Sequence, residues 1–232
     1  TRRGALLPIA VSVLLAAGAV WEVRHLLIGD ASKGVPELRA ESRYNRDVDM
    51  ITSHFAIGVD LLQVVAEMKG DSAPCLDRKV QDKLEKFDFE MRQVEGVAAV
   101  RSLSSFTTAV TQDFAEGWVK WRMLPETKEQ IAQAVGFATR FGNEYRNSKC
   151  NAIPVSLYTS DHKATTISAV VDQIQRFKAE NDDERVTFRL ASGNVGVMAA
   201  TNEVVKRADL IVNVTLFSAV TLLCLVTFRS IP

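Results

Sequence analysis

The sequence predicts a mixed α/β (α+β) domain with a helical insertion, carried between two transmembrane helices. Three observations support this. Apolar segments lie at both ends of an otherwise charged, ordinary globular sequence, the middle repeats a strand, helix, strand pattern, and a helix-periodic stretch separates the repeats.

The second apolar segment, Leu210 to Phe228, runs about 19 residues without a charge, and at ~1.5 Å per residue it crosses a ~30 Å hydrocarbon layer. Its Leu, Ile, Val and Phe residues favour insertion by roughly 4–7 kcal/mol in sum. Asn213 subtracts from that, but near an end of the segment, where headgroups or a neighbouring helix satisfy its amide. The first segment, Gly4 to Trp21, follows Arg2 and Arg3 and ends on an interfacial aromatic. Its Ala17-Gly18-Ala19 triplet would also suit a cleaved secretory signal, although the apolar run is long for one. Arg2, Arg3 and Arg229 sit outside the spans, so the positive-inside rule puts both ends in the cytoplasm and the middle outside. The start at Thr1 and the stop at Pro232, just after a membrane exit, read as a fragment of a longer membrane protein. The expected division is 1–25 for the first membrane helix, 26–56 for a connector, 57–192 for the external domain with its insertion at 104–150, and 193–232 for a lead-in helix and second membrane helix.

Lysine plus arginine (28) equals aspartate plus glutamate (28), so the basic excess that phosphate-backbone binding requires is missing and nucleic acid is not an expected partner. Of the three cysteines, Cys224 falls in the second span, whereas Cys75 and Cys150 fall in the external domain, where disulfides form. A Cys75–Cys150 bond would close a loop of about 75 residues, worth roughly 4–5 kcal/mol of chain entropy. Two unpaired buried thiols are the alternative.

Within the middle, Gly58 to Ala66 has the β-branched, nearly continuous apolarity of a buried strand. Gly70 and Pro74 mark a turn, and Leu76, Val80, Leu84, Phe87, Met91 and Val94 recur as one helix face that Gly96 ends. Val97 to Leu103 reads as a second strand, which makes a βαβ unit with a parallel pair and a right-handed crossover. The order returns with Ile153, Val155 and Leu157 as a strand, Ile167, Val170, Val171, Ile174 and Phe177 as a helix stripe, and Val186, Phe188 and Leu190 as a closing strand. Asp161 is placed to cap that helix and Asn181-Asp182-Asp183 to turn out of it. Two such units suggest a ferredoxin-like split βαβ sandwich.

The insertion places Phe106, Val110, Phe114 and Trp118 at steps of four, then Pro125, then Ile131, Val135, Ala138 and Phe141 on another helix. Its aromatics, with Trp121, either pack the insertion onto the sheet or face lipid or substrate. After Ser192-Gly193-Asn194-Val195-Gly196, the stretch from Val197 to Val205 forms a helix that runs without a break into the second span.

Motifs for chemistry are not found. His25, His54 and His162 have no metal-ligand spacing, so neither metal nor cofactor is expected, and Asp161-His162-Lys163 reads as a solvated helix start. Gly193-x-x-Gly196 lacks the Rossmann pattern and the phosphate-loop lysine, and close backbone packing explains it better. There is no G-x-S-x-G elbow, and Glu85, Asp88 and Glu90, interleaved with lysines, read as a helix's wet face. The mixed-sign run Arg39 to Asp47 reads as an ordered connector or a partner-docking surface. The chain is not read as an enzyme.

Gly34 to Arg39 with Ser42 to Asp47, Val94 to Leu103, Ile153 to Ala164, and the glycine-bearing lead into a last helix ending Phe228-Arg229-Ser230 together resemble the periplasmic porter segment of resistance-nodulation-division (RND) superfamily transporters, above all the MMPL-like predicted exporters. The order of span, domain and span matches one half of such a transporter up to its second membrane helix. The resemblance implies proton-driven efflux of hydrophobic or amphiphilic molecules, lipids or drugs, from a bacterial inner membrane, with the middle domain periplasmic. It implies membrane lipids, the remaining half of the transporter and a possible homo-oligomer as partners. Proton-relay acids in that family lie on a later membrane helix, so none is assigned here. It also directs attention to Phe114, Trp118 and Trp121 as the lining of a substrate route. A ligand-binding domain of a membrane sensor, or a cell-envelope scaffold, would share the same layout.

Overall fold

The computed structural model describes residues 2–23, 28–30, 35, 38–39, 41–55, 58, 60–70, 73–138, 140 and 144–228. Helices α1 (Arg2–Val23) and α2 (Arg43–His54) precede β1 (Asp60–Met68). Then come α3 (Arg78–Arg92), β2 (Val97–Arg101), α4 (Leu103–Phe114), α5 (Lys128–Ala138), β3 (Ala152–Thr159), α6 (Ala164–Asn181), β4 (Val186–Ser192) and α7 (Asn194–Phe228). Phe141, expected on the second insertion helix, lies outside the described residues.

The fold is α+β, built on one four-stranded sheet of order β2-β3-β1-β4 in which every neighbouring pair is antiparallel. The expected parallel pairing of β1 with β2 does not occur. These two strands run the same way, but β3 lies between them, just as β1 lies between β3 and β4. A helical crossover returns the chain in the same direction whether it joins adjacent strands or steps over one, and here β3 takes the place between β1 and β2. Register is set by Val64 opposite Val155 on one side and Leu190 on the other, and by Val100 opposite Leu157. Pro154, which has no N–H to give, is tolerated in β3 because β2 pairs only with the stretch from Ser156 to Thr159.

Burial alternates along β1, so the expected doubly buried strand is a one-faced strand. Leu62, Val64, Ala66 and Met68 face the core with Ile153, Val155 and Leu157 of β3 and Val186 and Phe188 of β4. The opposite face is mixed, carrying Leu61 and Val65 beside Gln63, which bonds to Ser156, and Glu67, which bonds to Arg189. Helices α3 and α6 cover the apolar face through Leu84, Phe87, Met91, Ile167, Val170, Ile174 and Phe177. Phe87 stacks on Phe188 at 5.0 Å between ring centroids, and Phe177 meets both rings edge-on at 5.0 and 5.1 Å. Each of these fully buried rings contributes on the order of 2–3 kcal/mol.

The N-cap of α6 is Lys163, whose side chain makes no capping bond, and not Asp161 as expected. Asp161 lies two residues earlier and steadies the helix start, its carboxylate accepting from the Lys163 N–H at 3.2 Å and the Thr166 hydroxyl at 2.6 Å. Asp183 forms the exit turn, accepting from the N–H groups of Arg185 and Val186, both at 2.9 Å. Its pKa is held down to about 2, first by the hydrogen bond from Lys83. Cys75 and Cys150 are buried and paired at disulfide distance, with Cα atoms 5.4 Å apart. They join the turn before α3 to the loop before β3.

Helix α7 is continuous over 35 residues, ~52 Å at ~1.5 Å per residue. Val195 and Ala199 are buried against the domain, whereas the apolar residues from Val204 onward are exposed. By length and composition α7 is long and apolar enough to cross a membrane. Helix α1 carries a shorter, exposed apolar run, Ala10–Ala19.

Candidate functional site

The insertion begins at Ser102, whose hydroxyl accepts from the Ser105 N–H while the Ser105 hydroxyl accepts from the Ser102 N–H, a reciprocal cap that starts α4. Its buried face is Leu103, Ser104, Thr107, Thr108 and Val110, with Phe106 partly buried against the core, so the first half of the expected stripe, Phe106 and Val110, packs while Phe114 and Trp118 stay exposed. The helix stops at Phe114 because Glu116 and Gly117 both adopt positive φ, 57° and 79°, and reverse the chain. Trp118 therefore stands outside α4 and opens a 3-10 turn over Val119–Trp121.

Phe114, Trp118 and Trp121 are 58 %, 64 % and 46 % exposed, and Val119 and Met123 beside them are also exposed, so these aromatics do not pack the insertion onto the sheet. The Lys120 ammonium lies 6.0 Å from the Trp118 ring centre and 5.8 Å from that of Trp121, a cation held between two aromatic faces. The loop is anchored by Leu124, fully buried, and by Arg78 at the start of α3. That guanidinium donates to the carbonyls of Leu124 (3.4 Å) and Pro125 (2.9 Å), and pairs with Glu126 (3.1 Å) and Asp82 (2.8 Å). The Asp82 bond is the main reason its pKa lies above the ordinary arginine value.

Between α4, this loop and α5 lies a groove of about 510 Å³, within the range of small-molecule sites. Phe114, Trp121, Met123, Leu124 and Pro125 form its apolar wall, and Thr111, Thr127, Gln130 and Gln133 give it uncharged polar groups. The fold thus brings Phe114 and Trp121 together and leaves Trp118 outside the lining. A second depression, of about 500 Å³, shares Glu126 with the groove and is otherwise lined from the turn between β1 and α3, the starts of α3 and α5, and Arg185. Its charged lining is Lys69, Arg78, Lys128 and Arg185 against Asp77 and Glu126.

Two polar clusters were not legible as such. Asp88, expected on a wet face, is 5 % exposed, because α4 covers the side of α3 that bears Gln81 and Asp88. Its carboxylate accepts from the Ser102 hydroxyl at 2.5 Å, while its other oxygen and the buried Ser104 hydroxyl have no protein partner among the described residues. Burial pushes Asp88 up to about 7, against the opposing pull of the Ser102 bond. Glu85 is also raised by burial. His162, expected to be solvated, is mostly buried and lies 3.0 Å from Asp60. The reason is tertiary: the loop before α6 folds over the start of β1, where Asp60 also meets Asn194 of α7. Spacing along α3 gives Asp88 no local mark, and the Asp60–His162 pair joins residues a hundred positions apart.

Among the described residues no three His, Cys, Asp or Glu side chains converge as a metal site. No protein-family model matches the chain, and no curated protein matches it in sequence.

Proposed function

We propose that this chain is the porter-type segment of a proton-driven RND superfamily transporter that exports hydrophobic or amphiphilic molecules from a bacterial inner membrane. In this reading the four-stranded sheet is a ferredoxin-like split βαβ domain in the periplasm, and α1 and the apolar part of α7 are its flanking membrane helices. The strand order, with each crossover stepping over one strand, supports that assignment. The observation that carries the function is the groove. A water-facing domain rooted on a span-length helix keeps an aromatic-walled cleft of ligand size open, with Phe114 and Trp121 exposed at its lip. Exposed apolar surface of this kind marks a place where something apolar binds.

The membrane energetics agree with that reading, because the exposed face of α7 would be costly in water and stabilising in lipid. The proton relay belongs to the remaining part of the transporter, and no residue of this chain is given that role. The test is to express the intact transporter in an efflux-deficient bacterium, with and without Trp118→Ala and Trp121→Ala at matched expression. Retention of a hydrophobic dye is then followed with and without an uncoupler. Uncoupler-sensitive export weakened by the double substitution is the expected result. A continuous helix from domain to span would equally serve a sensor, and absence of gradient-dependent flux for a broad set of amphiphiles would favour that reading.

A further inference from the structure

We propose that the two cavities that share Glu126 form one bipartite site for a single anionic amphiphile, its chain in the aromatic groove and its anionic head in the basic depression. This rests on the reading of the groove as a ligand site and adds a charge requirement to it. The groove supplies the apolar half, and no unpaired charge lies in its lining. Glu126, the one carboxylate there, is held by Arg78 at 3.1 Å.

The depression supplies the other half. Among the described residues of its lining four cations face two carboxylates, and these carboxylates are already engaged, Glu126 by Arg78 and Asp77 by Arg185 at 3.8 Å. Lys69, just after β1, and Lys128, the first residue of α5, both line the depression and remain without an acidic partner among the described residues. Two uncompensated ammonium groups beside an uncharged apolar cleft complement a carboxylate, phosphate or sulfate head on an alkyl chain. A cationic amphiphile of the same length meets repulsion at that end, and a neutral one gains only the groove.

The experiment uses the full chain in neutral-lipid nanodiscs with Trp21→Phe and Trp118→Phe, so that Trp121 is the only fluorophore of its kind. At pH 8, 12-bromododecanoate, 12-bromododecanol and 12-bromododecylammonium are titrated, and bromine quenching of Trp121 reports occupancy of the groove. The same titrations on a Lys69→Gln, Lys128→Gln variant cancel differences in partitioning into the bilayer. The expected result is half-quenching by the carboxylate at about tenfold lower concentration than by the alcohol, a preference that falls below about threefold in the double variant. Trp121 quenching with no preference for the anion, or with a preference the variant retains, overturns the head assignment and leaves the groove standing. No quenching of Trp121 by any of the three overturns the groove reading as well.

Discussion

Asp60, the first residue of β1, accepts a hydrogen bond at 2.9 Å from the side-chain Nδ2 of Asn194, the first residue of α7, and the Oδ1 of the same amide accepts the Leu61 N–H at 2.8 Å. The root of the long helix is thereby fixed to the central strand at a site where Asp60 is 7 % exposed. Asn194→Ala removes both bonds and leaves a buried carboxylate oxygen and a strand N–H without their partners. A loss of about 1–3 kcal/mol is expected, with faster amide exchange at Leu61 and Leu62 and in the first turn of α7. Unchanged exchange there would sink the idea that this pair fastens the helix.

Asp88 gives the domain a pH dependence of defined sign. Its native pKa of about 7 lies above the ordinary value of 3.8, so the folded state binds its proton more tightly than the unfolded chain does. Stability from this group is fully present below pH ~4 and is lost as pH rises through ~7, by on the order of 3–4 kcal/mol for a group buried this deeply. Asp183 acts oppositely but only between its native value of about 2 and 3.8, outside that window. Chemical unfolding measured from pH 5 to pH 8 should therefore show the wild-type midpoint falling more steeply than that of Asp88→Asn. Parallel profiles for the two proteins would refute the assignment.

How much of this was readable beforehand depended on range. The twice-repeated strand, helix, strand order, the exit turn at Asp183 and the unbroken course of α7 follow from local periodicity and turn chemistry, and the Cys75–Cys150 pairing was one of two readings open to the cysteines. Which strands pair does not, since the sequence pattern for β1 and β2 is the same whether they are neighbours or flank β3. The aromatic stripe failed at Trp118 because a positive φ at Glu116, a residue with no intrinsic preference for it, ended α4 one turn early. Phe114 and Trp121 could be singled out as aromatics, but the groove they line is bounded by a loop whose Leu124 and Pro125 carbonyls are held by Arg78, on a distant helix. Asp88 and His162 were misread for the same reason: what buries each of them is contributed by another part of the chain.

Gly193 precedes α7 with φ at 93°, and a Cβ there would meet the Leu61 carbonyl oxygen and carbon. Both the backbone conformation and the contact exclude a side chain, and the contact is with strand backbone that cannot rotate away. Gly193→Ala is expected to destabilise the domain by about 2–4 kcal/mol, whereas Gly196→Ala, whose Cβ would sit in ordinary contact with Leu62 at the start of a helix, should leave stability unchanged or raise it by up to about 1 kcal/mol. Thermal unfolding of the two variants side by side distinguishes them, and equal shifts would contradict the close approach at Gly193.

The Cys75–Cys150 pair, with Cα atoms 5.4 Å apart and a separation of 75 residues, encloses α3, β2 and the whole insertion in one covalent loop. Its stabilisation acts mainly on the unfolded chain, so replacing both cysteines by alanine should lower the denaturant midpoint by the equivalent of about 2–5 kcal/mol. Because Cys75 is also fully buried in the core, a part of that loss would come from packing rather than from the bond. Reduction of the unaltered protein separates the two contributions: it opens the loop but keeps both side chains in place. A midpoint that falls on reduction by most of the alanine variant's loss supports the chain-entropy account. A midpoint that stays put on reduction, after a thiol assay has verified that the bond is open, would assign the loss in the alanine variant to the core alone.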